Sequence, residues 1–365
     1  MSKRVEGEEA WSEFLERLSE RGAPAYVANL KAEVRSLEVG SLRLSIVYPE
    51  RGYANCYVGS VRAQYVDYAR YEIDSRKLGI LGTILKGFLK GVDALMRLAA
   101  SERTVFVNNR LLSTNLYPAG VERELAAIRD RLLGEGGERA ILFRSLAGSC
   151  NAALIAALRE AGFRALASRE VYLLDTSSGE HRRRSNFLKD LALLEGSGLE
   201  RVPGSQFSSA DFDRARELYG KLYLEKYTAL NPRFTEAFLR EGVETGFLQL
   251  VGLRGEKGLL GVLGYYRCGD WITAPILGYD TELPVELGLY RQLTALLTLE
   301  GERLGCRIHR SSGAAAFKRS RGAKREIEYS YVYVEHLPWW RRWAWRTFLA
   351  LVNRVGRFAL DRIDA

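Results

Sequence analysis

The segment from Trp271 to His336 constrains this chain most, because its residue pattern changes in a fixed order. Residues 271–279, with Trp271, Ile272, Ile276 and Tyr279, read as a strand, and 280–286 as a loop. Leu289, Leu293, Leu296, Leu297 and Leu304 recur close to helical spacing, which predicts a helix over 287–304. A second strand is expected over 306–311. A turn of small residues over 312–316, the dipeptide Phe317-Lys318 and Gly322 follow it. Residues 327–334 hold Tyr329, Tyr331, Val332, Tyr333 and Val334, the aromatic and β-branched content of a last strand.

The first half runs through a similar order. Residues 8–20 place Trp11, Phe14, Leu15 and Leu18 on one helical face. Strands are expected over 25–48 and over the tyrosine-rich 55–73, then a helix over 78–100 and a strand over 104–112. A polar turn (113–118), a helix (121–133), a strand (139–146), a helix (151–161) and a strand (170–174) complete the half. The polar, charged stretch 176–184 reads as a linker. Beyond it lie a short helix over 187–194, a helix over 209–227 opened by a Ser-Ser-Ala-Asp cap signal, and another over 232–246. Residues 247–253 and 258–268 form a hairpin. Arg144-Ser145 after one such helix corresponds to Arg310-Ser311 after the other, and Val171–Leu174 to Tyr331–Val334, so one unit is used twice. The expected division is 1–180, 181–338 and a basic aromatic amphipathic helix over 339–365.

A chain of 365 residues, 47% hydrophobic and 27% charged, has room for two domains and a sizeable core. The net charge of +9 suits a polyanionic partner, whether nucleic acid, an anionic membrane surface or a phosphate-rich ligand. It suits a merely solvated basic surface equally well. Cys56, Cys150, Cys268 and Cys306 show no Cys-x-x-Cys spacing, and His181, His309 and His336 are scattered, so a metal site is not expected. The charged first residues do not resemble a signal peptide, and the longest uncharged run of the 78–100 helix, 78–85, is too short to span a bilayer. A cytoplasmic protein is expected.

Ser311-Ser312-Gly313, then Phe317-Lys318, Gly322 and the tyrosine strand 329–333 carry a resemblance. With the duplicated pattern they resemble a tandem pair of GNAT-type acyltransferase folds. Examples are the FemAB-like aminoacyltransferases and the aminoacyl transfer domain of lysylphosphatidylglycerol synthases. The resemblance covers about 25–175 and 200–336. It implies an α+β fold of two GNAT-like domains in tandem, with mixed central sheets flanked by helices and a C-terminal amphipathic helix. In FemAB-like enzymes a Phe-Lys pair lies at the reacting ester, which implies that Lys318 stabilises the oxyanion. The chain departs from the pattern in lacking the charged helical arm of some Fem proteins. It also lacks the glycine-rich pyrophosphate loop of acetyl-CoA-binding members. Where that loop belongs stand residues 280–286, whose Asp280, Glu282 and Glu286 would repel a pyrophosphate at a helix start. No bound cofactor is therefore expected, with acyl-CoA as donor the alternative. Arg321-Gly322-Ala323-Lys324 resembles a loop of that kind but precedes a strand.

Acyl transfer to an amine needs the amine to lose a proton, a partner for the tetrahedral oxyanion, and protonation of the leaving group. Lys318, Tyr279, Asp280 and Glu328 are the catalytic candidates. Lys318 suits the oxyanion, Tyr279 or Tyr290 the leaving oxygen, and Asp280, Glu282 or Glu328 the amine. Phe317, Ser311, Ser312, Tyr290, Arg291, Arg319 and Arg321 are the substrate-binding candidates. Blander readings stand beside these: a loop lysine, core-edge tyrosines, carboxylates that merely favour a helix start. In the tail, Trp340, Trp343, Phe348, Leu351, Val355 and Phe358 share a face, with Arg341, Arg342, Arg346, Arg354 and Arg357 mostly elsewhere. Such a helix either packs its aromatics inward or makes peripheral contact with an anionic membrane or an RNA backbone. The leading expectation is transfer of an aminoacyl group from aminoacyl-tRNA to an amine or hydroxylamine acceptor, whether a small metabolite, a lipid or a peptide precursor. N-acylation from acyl-CoA or acyl carrier protein is the alternative. A catalytically inactive tandem fold that binds RNA or an anionic surface is the third reading.

Overall fold

The computed structural model describes residues 3–51, 55–75 and 79–362. Helix α1 (Lys3–Arg21) leads to a hairpin of β1 (Ala32–Val39) and β2 (Leu42–Pro49). A π turn (Ala63–Asp67) runs into α2 (Tyr68–Ser75), and α3 (Gly79–Leu98) follows. Next come β3 (Thr104–Val107), α4 (Leu125–Gly134), β4 (Ala140–Leu146), α5 (Gly148–Glu160) and β5 (Arg164–Leu174). The second half contains α6 (Ser185–Gly196), β6 (Glu200–Pro203), α7 (Ser209–Gly220), α8 (Glu236–Glu244), β7 (Gln249–Gly255), β8 (Gly258–Cys268) and β9 (Trp271–Tyr279). It ends with α9 (Leu289–Leu304), β10 (Arg307–His309), α10 (Ala315–Arg319), β11 (Lys324–Tyr333) and α11 (Trp339–Arg362).

All these strands join one sheet, ordered β1-β2-β3-β4-β11-β5-β10-β9-β8-β7-β6. Each half supplies an antiparallel edge that ends in a parallel pair, β3 with β4 and β9 with β10. At the centre the halves interlock. The last strand, β11, lies between β4 and β5 and is antiparallel to both, while β5 is also antiparallel to β10. One large apolar cluster, with Trp11, Phe14, Phe238 and Trp345, covers one face of the sheet across both halves. Separate clusters line the other face under α4 and α5 and under α6 and α9.

The local signals that placed α7 hold. Ser208 accepts from the Asp211 amide, and the Asp211 carboxylate accepts from the Ser208 amide, which closes a capping box. Three expectations are corrected. The tyrosine-rich stretch is helical over 63–75 rather than extended, because Tyr65 and Tyr68 sit at helical spacing and pack on the core. The stretch read as a linker buries His181 completely, with its Nε2 2.7 Å from Glu302 Oε1. Strand β6 was not expected. Of the residues read as strands or helices, 78 and 363–365 lie outside the described part.

Gly278 lets α7 lie directly on β9: a Cβ there would come within 3.0 Å of backbone atoms of Leu218 and Tyr219. Backbone cannot swing aside as a flexible side chain can. Gly278→Ala is expected to lower unfolding free energy by roughly 2–4 kcal/mol, read from urea denaturation midpoints. An unchanged midpoint would mean that α7 shifts at no cost.

Candidate functional site at the β10 turn

Strand β10 stops at His309, while its parallel neighbour β9 runs on to Tyr279. The Thr273 hydroxyl donates to the His309 carbonyl at 2.8 Å, and beyond this last paired position the strands part. Openings beyond the carboxyl ends of parallel strands are where sheets of this type collect ligands. Residues 310–314 form the turn at this one.

The turn is strained. Ser311 (φ 54°), Gly313 (φ 80°) and Ala314 (φ 50°) all adopt the left-handed region, which costs about 1 kcal/mol or more for a residue with a Cβ. Lys318, on α10, holds it in place. Its Nζ donates to the carbonyls of Arg310 (2.6 Å), Ser312 (2.7 Å) and Ser311 (3.4 Å). Burial, with Arg310 and Arg169 nearby, pushes the Lys318 ammonium well below the ordinary lysine range, while the three carbonyls and the face of the Tyr172 ring, 5.5 Å away, favour its charge.

Arg310 is buried too. It donates to the Thr294 carbonyl (3.1 Å) and the Thr298 hydroxyl (2.8 Å), while its Nη1 has no partner. Burial pulls its pKa down to about 10. Among the described residues, neither Arg310 nor Lys318 forms an ion pair with a carboxylate. The turn therefore concentrates positive charge that the protein leaves uncompensated at close range.

His309 lies beneath the turn. Its Nδ1 accepts the Ser311 amide at 3.1 Å, which assigns the ring proton to Nε2, 3.7 Å from Glu328 Oε2. Arg169 already neutralises Glu328, donating to its two oxygens at 2.9 and 3.3 Å, so the carboxylate does not offset the cost of charging the ring. Burial, then Arg169 and Lys318, lower the His309 pKa to about 3. For Arg169 burial opposes the charge, but Glu328 outweighs it and raises the pKa. Arg169 also donates to the Ser113 carbonyl (2.7 Å) and the Thr114 hydroxyl (2.9 Å), and Thr114 donates to the Ser311 hydroxyl at 3.2 Å. A loop of the first half thus touches the turn of the second.

The candidates from sequence fall into three groups. Lys318, Ser311 and Ser312 meet in the turn itself, with Ser312 exposed. Phe317, Tyr290 and Tyr279 form an aromatic row beside it, with ring centroids 4.8 Å and 6.3 Å apart, and the Arg321 guanidinium lies 3.4 Å over Phe317. Burial raises both tyrosine pKa values, so both phenols are protonated near neutral pH. The remaining candidates are tied into ion pairs or face solvent. Arg321 and Arg291 share the fully buried Asp190, with Arg291 Nε at 2.6 Å from it. Arg319 is exposed at the end of α10.

Two roles are corrected. Asp280 accepts from Arg214 at 2.6 Å. Burial favours its neutral form, but the Glu282 amide and Arg214 hold the carboxyl below the usual range, so it is a weak base. Glu328, a candidate for the amine, is buried and spent on Arg169. Lys318 is likewise not an exposed loop lysine: it is on a short helix with its Nζ turned into the backbone. Arg310, His309, Arg169 and Asp190 were missed. The repeated Arg-Ser pair was the available signal, since Ser145 (φ 60°) shares the left-handed conformation of Ser311 (φ 54°). Two surface clefts, of about 290 and 520 Å³, lie elsewhere: beside Asp175, Asp270 and Arg307, and beside Tyr48, Arg51 and Arg139.

No protein-family model matches the chain, and no curated protein is similar to it in sequence. Solved structures are. FemX aligns with a TM-score of 0.50 at 9% identity, covering 89% of this chain and 91% of that one. The L-PGS of Bacillus licheniformis aligns with a TM-score of 0.49 at 14% identity, covering 89% and 92%. The likeness to FemX shows the fold: two GNAT-like halves in tandem, here joined through one continuous sheet.

The buried imidazole has a consequence for acid stability. Its folded pKa of about 3 lies below the ordinary 6.5, so between these values the unfolded chain binds a proton that the folded chain refuses. His309 therefore withdraws stability as pH falls through that window, by up to a few kcal/mol. His309→Gln is expected to flatten the loss between pH 6.5 and 4, measured by urea titrations at several pH values. Parallel curves for the two proteins would show that His309 is not the group responsible.

Proposed function

We propose that this chain is an acyltransferase that moves an aminoacyl group from aminoacyl-tRNA to an amine or hydroxylamine acceptor. The observation that carries the reading is the uncompensated charge of Arg310 and Lys318 behind a strained turn at the opening between β9 and β10. Negative charge develops on the carbonyl oxygen when an amine attacks an ester, and fixed cationic groups in a dry site stabilise it most. The shared fold with FemX supports the chemistry by analogy only.

In this reading the acceptor nitrogen bonds to the ester carbon, the carbon–oxygen bond to the tRNA ribose breaks, and the ribose oxygen takes a proton. Tyr290 or Tyr279, kept protonated by burial, donates it directly or through water. Lys318 fixes the turn and adds its charge. It does not reach the ester unless substrate displaces its backbone contacts. Because Asp280 and Glu328 are ion-paired, the amine loses its proton to water or to a second acceptor molecule.

A donor held as an ester on RNA also fits residues 280–287. Asp280 and Glu282 are held there by Arg214 and Lys221, and Glu286 lies exposed, so the stretch offers carboxylates rather than a glycine-rich cradle to a pyrophosphate. The net charge of +9 suits a tRNA backbone.

The test is a panel of labelled charged tRNAs and acyl-CoAs with candidate amine acceptors, read by intact mass of the products. RNase is expected to abolish transfer. Lys318→Ala is expected to slow it on the order of 100-fold or more, because both the charge and the turn are lost. Transfer that survives RNase and requires a coenzyme A thioester would replace the tRNA reading. Binding of RNA without turnover on any donor would leave only a binding protein.

A further inference from the structure

We propose that α3 and α11 together form a face that docks on an anionic lipid bilayer. On α3, Ile80, Ile84, Gly87, Gly91, Ala94 and Leu98 recur every three or four residues and are all exposed, with Leu81 alongside. Ile80 is 83% and Ile84 63% exposed. From Ile80 to Leu98 the stripe runs roughly 27 Å along the helix, at 1.5 Å per residue.

Helix α11 extends this face. Arg341 donates to the carbonyls of Ala99 (3.0 Å) and Ala100 (3.4 Å), which ties the start of α11 to the end of α3. The helix divides its aromatics between two sides, contrary to the single face expected from sequence. Trp345 and Phe348 are fully buried, whereas Trp339 (74%) and Trp343 (55%) are exposed, as is Trp340. Val355, Arg357 and Phe358 lie outside the described side chains. The exposed tryptophans therefore sit at the Leu98 end of the apolar stripe.

Charge complementarity selects the occupant. Within Gly79–Leu98 stand Lys86, paired with Asp74, the exposed Lys90, and Arg97, which with Arg62 holds the inward-turned Asp93. From Trp339 to Arg354 there is no acidic residue; Arg341 is buried against backbone carbonyls and Arg346 pairs with Glu335, which leaves the half-buried Arg342 and the exposed Arg354 to meet an anionic surface. Long apolar stripes flanked by lysine and arginine, with tryptophan at the rim, lie in the headgroup region of anionic membranes. Among the described residues no helix is long and apolar enough to cross a membrane, so α3 and α11 would lie along the surface. The proposal does not depend on the transfer chemistry.

Flotation of the full chain with phosphatidylcholine vesicles, with and without phosphatidylglycerol, tests it. Partition is expected only onto vesicles with phosphatidylglycerol, weakening as salt rises, with a blue shift of tryptophan emission. The triple substitution Trp339→Ser, Trp340→Ser, Trp343→Ser and the separate pair Ile80→Ser, Ile84→Ser are each expected to lower partition on the order of tenfold, with melting temperature unchanged. Equal partition onto neutral vesicles, no partition at low salt, or full partition by both variants would overturn it. So would a self-associated species in sedimentation equilibrium that both variants dissolve, since the face would then belong to a second copy of the chain.

Discussion

The pairing of β5 with β11 is the constraint on which the rest of the molecule depends. Strand β5 belongs to the first half by sequence, yet it aligns β10 on one side and β11 on the other. Strand β11 belongs to the second half, yet it completes the sheet against β4. Neither half keeps its backbone groups satisfied without the other, because removing β11 would expose an edge of β4 and an edge of β5 together. The cross-strand register also brings Glu328 opposite Arg169, and through that pair the loop at Ser113 and Thr114 reaches the turn at Ser311. The geometry of the candidate site is thus a property of the interlocked sheet and not of either half.

Around that seam the protein tolerates charge where apolar packing would be cheaper. Arg144, Arg310 and Lys318 are buried and Arg169 is half-buried, and of these only Arg169 has a carboxylate partner. Burial lowers the Arg144 pKa, and that residue is held by a bond from Nη1 to the Val58 carbonyl, while its Nε has no partner. A buried cation bonded only to backbone oxygens costs stability unless something negative arrives. The left-handed backbone at Ser311 and Ala314 adds to that cost at the same place.

Much of this was readable from the sequence because it is local. The helix of α9, the β7–β8 hairpin and the cap of α7 each follow from spacing and from a few polar residues at their ends. The duplication was readable from Arg144-Ser145 and Arg310-Ser311, and the matching backbone of the two serines gives that resemblance a physical meaning. The strand exchange was not readable, since an antiparallel partner far along the chain leaves no periodic trace. The roles of Glu328, Arg169 and His309 were hidden with it, because each depends on a neighbour that only the exchange supplies. At Tyr65 and Tyr68 the strand preference of tyrosine misled, and packing against Phe348 and Tyr57 decided the outcome.

The place of β11 also sets an order of events during synthesis. Strand β4 emerges from the ribosome long before Lys324–Tyr333, and until then the early half has a gap where its central neighbour belongs. At translation speeds of about 5–20 residues per second that gap stays open for many seconds, with one side of β4 and one side of β5 available to any extended segment nearby. Until the final strand arrives, those two edges are the ones that a chain of this topology has to keep from pairing elsewhere.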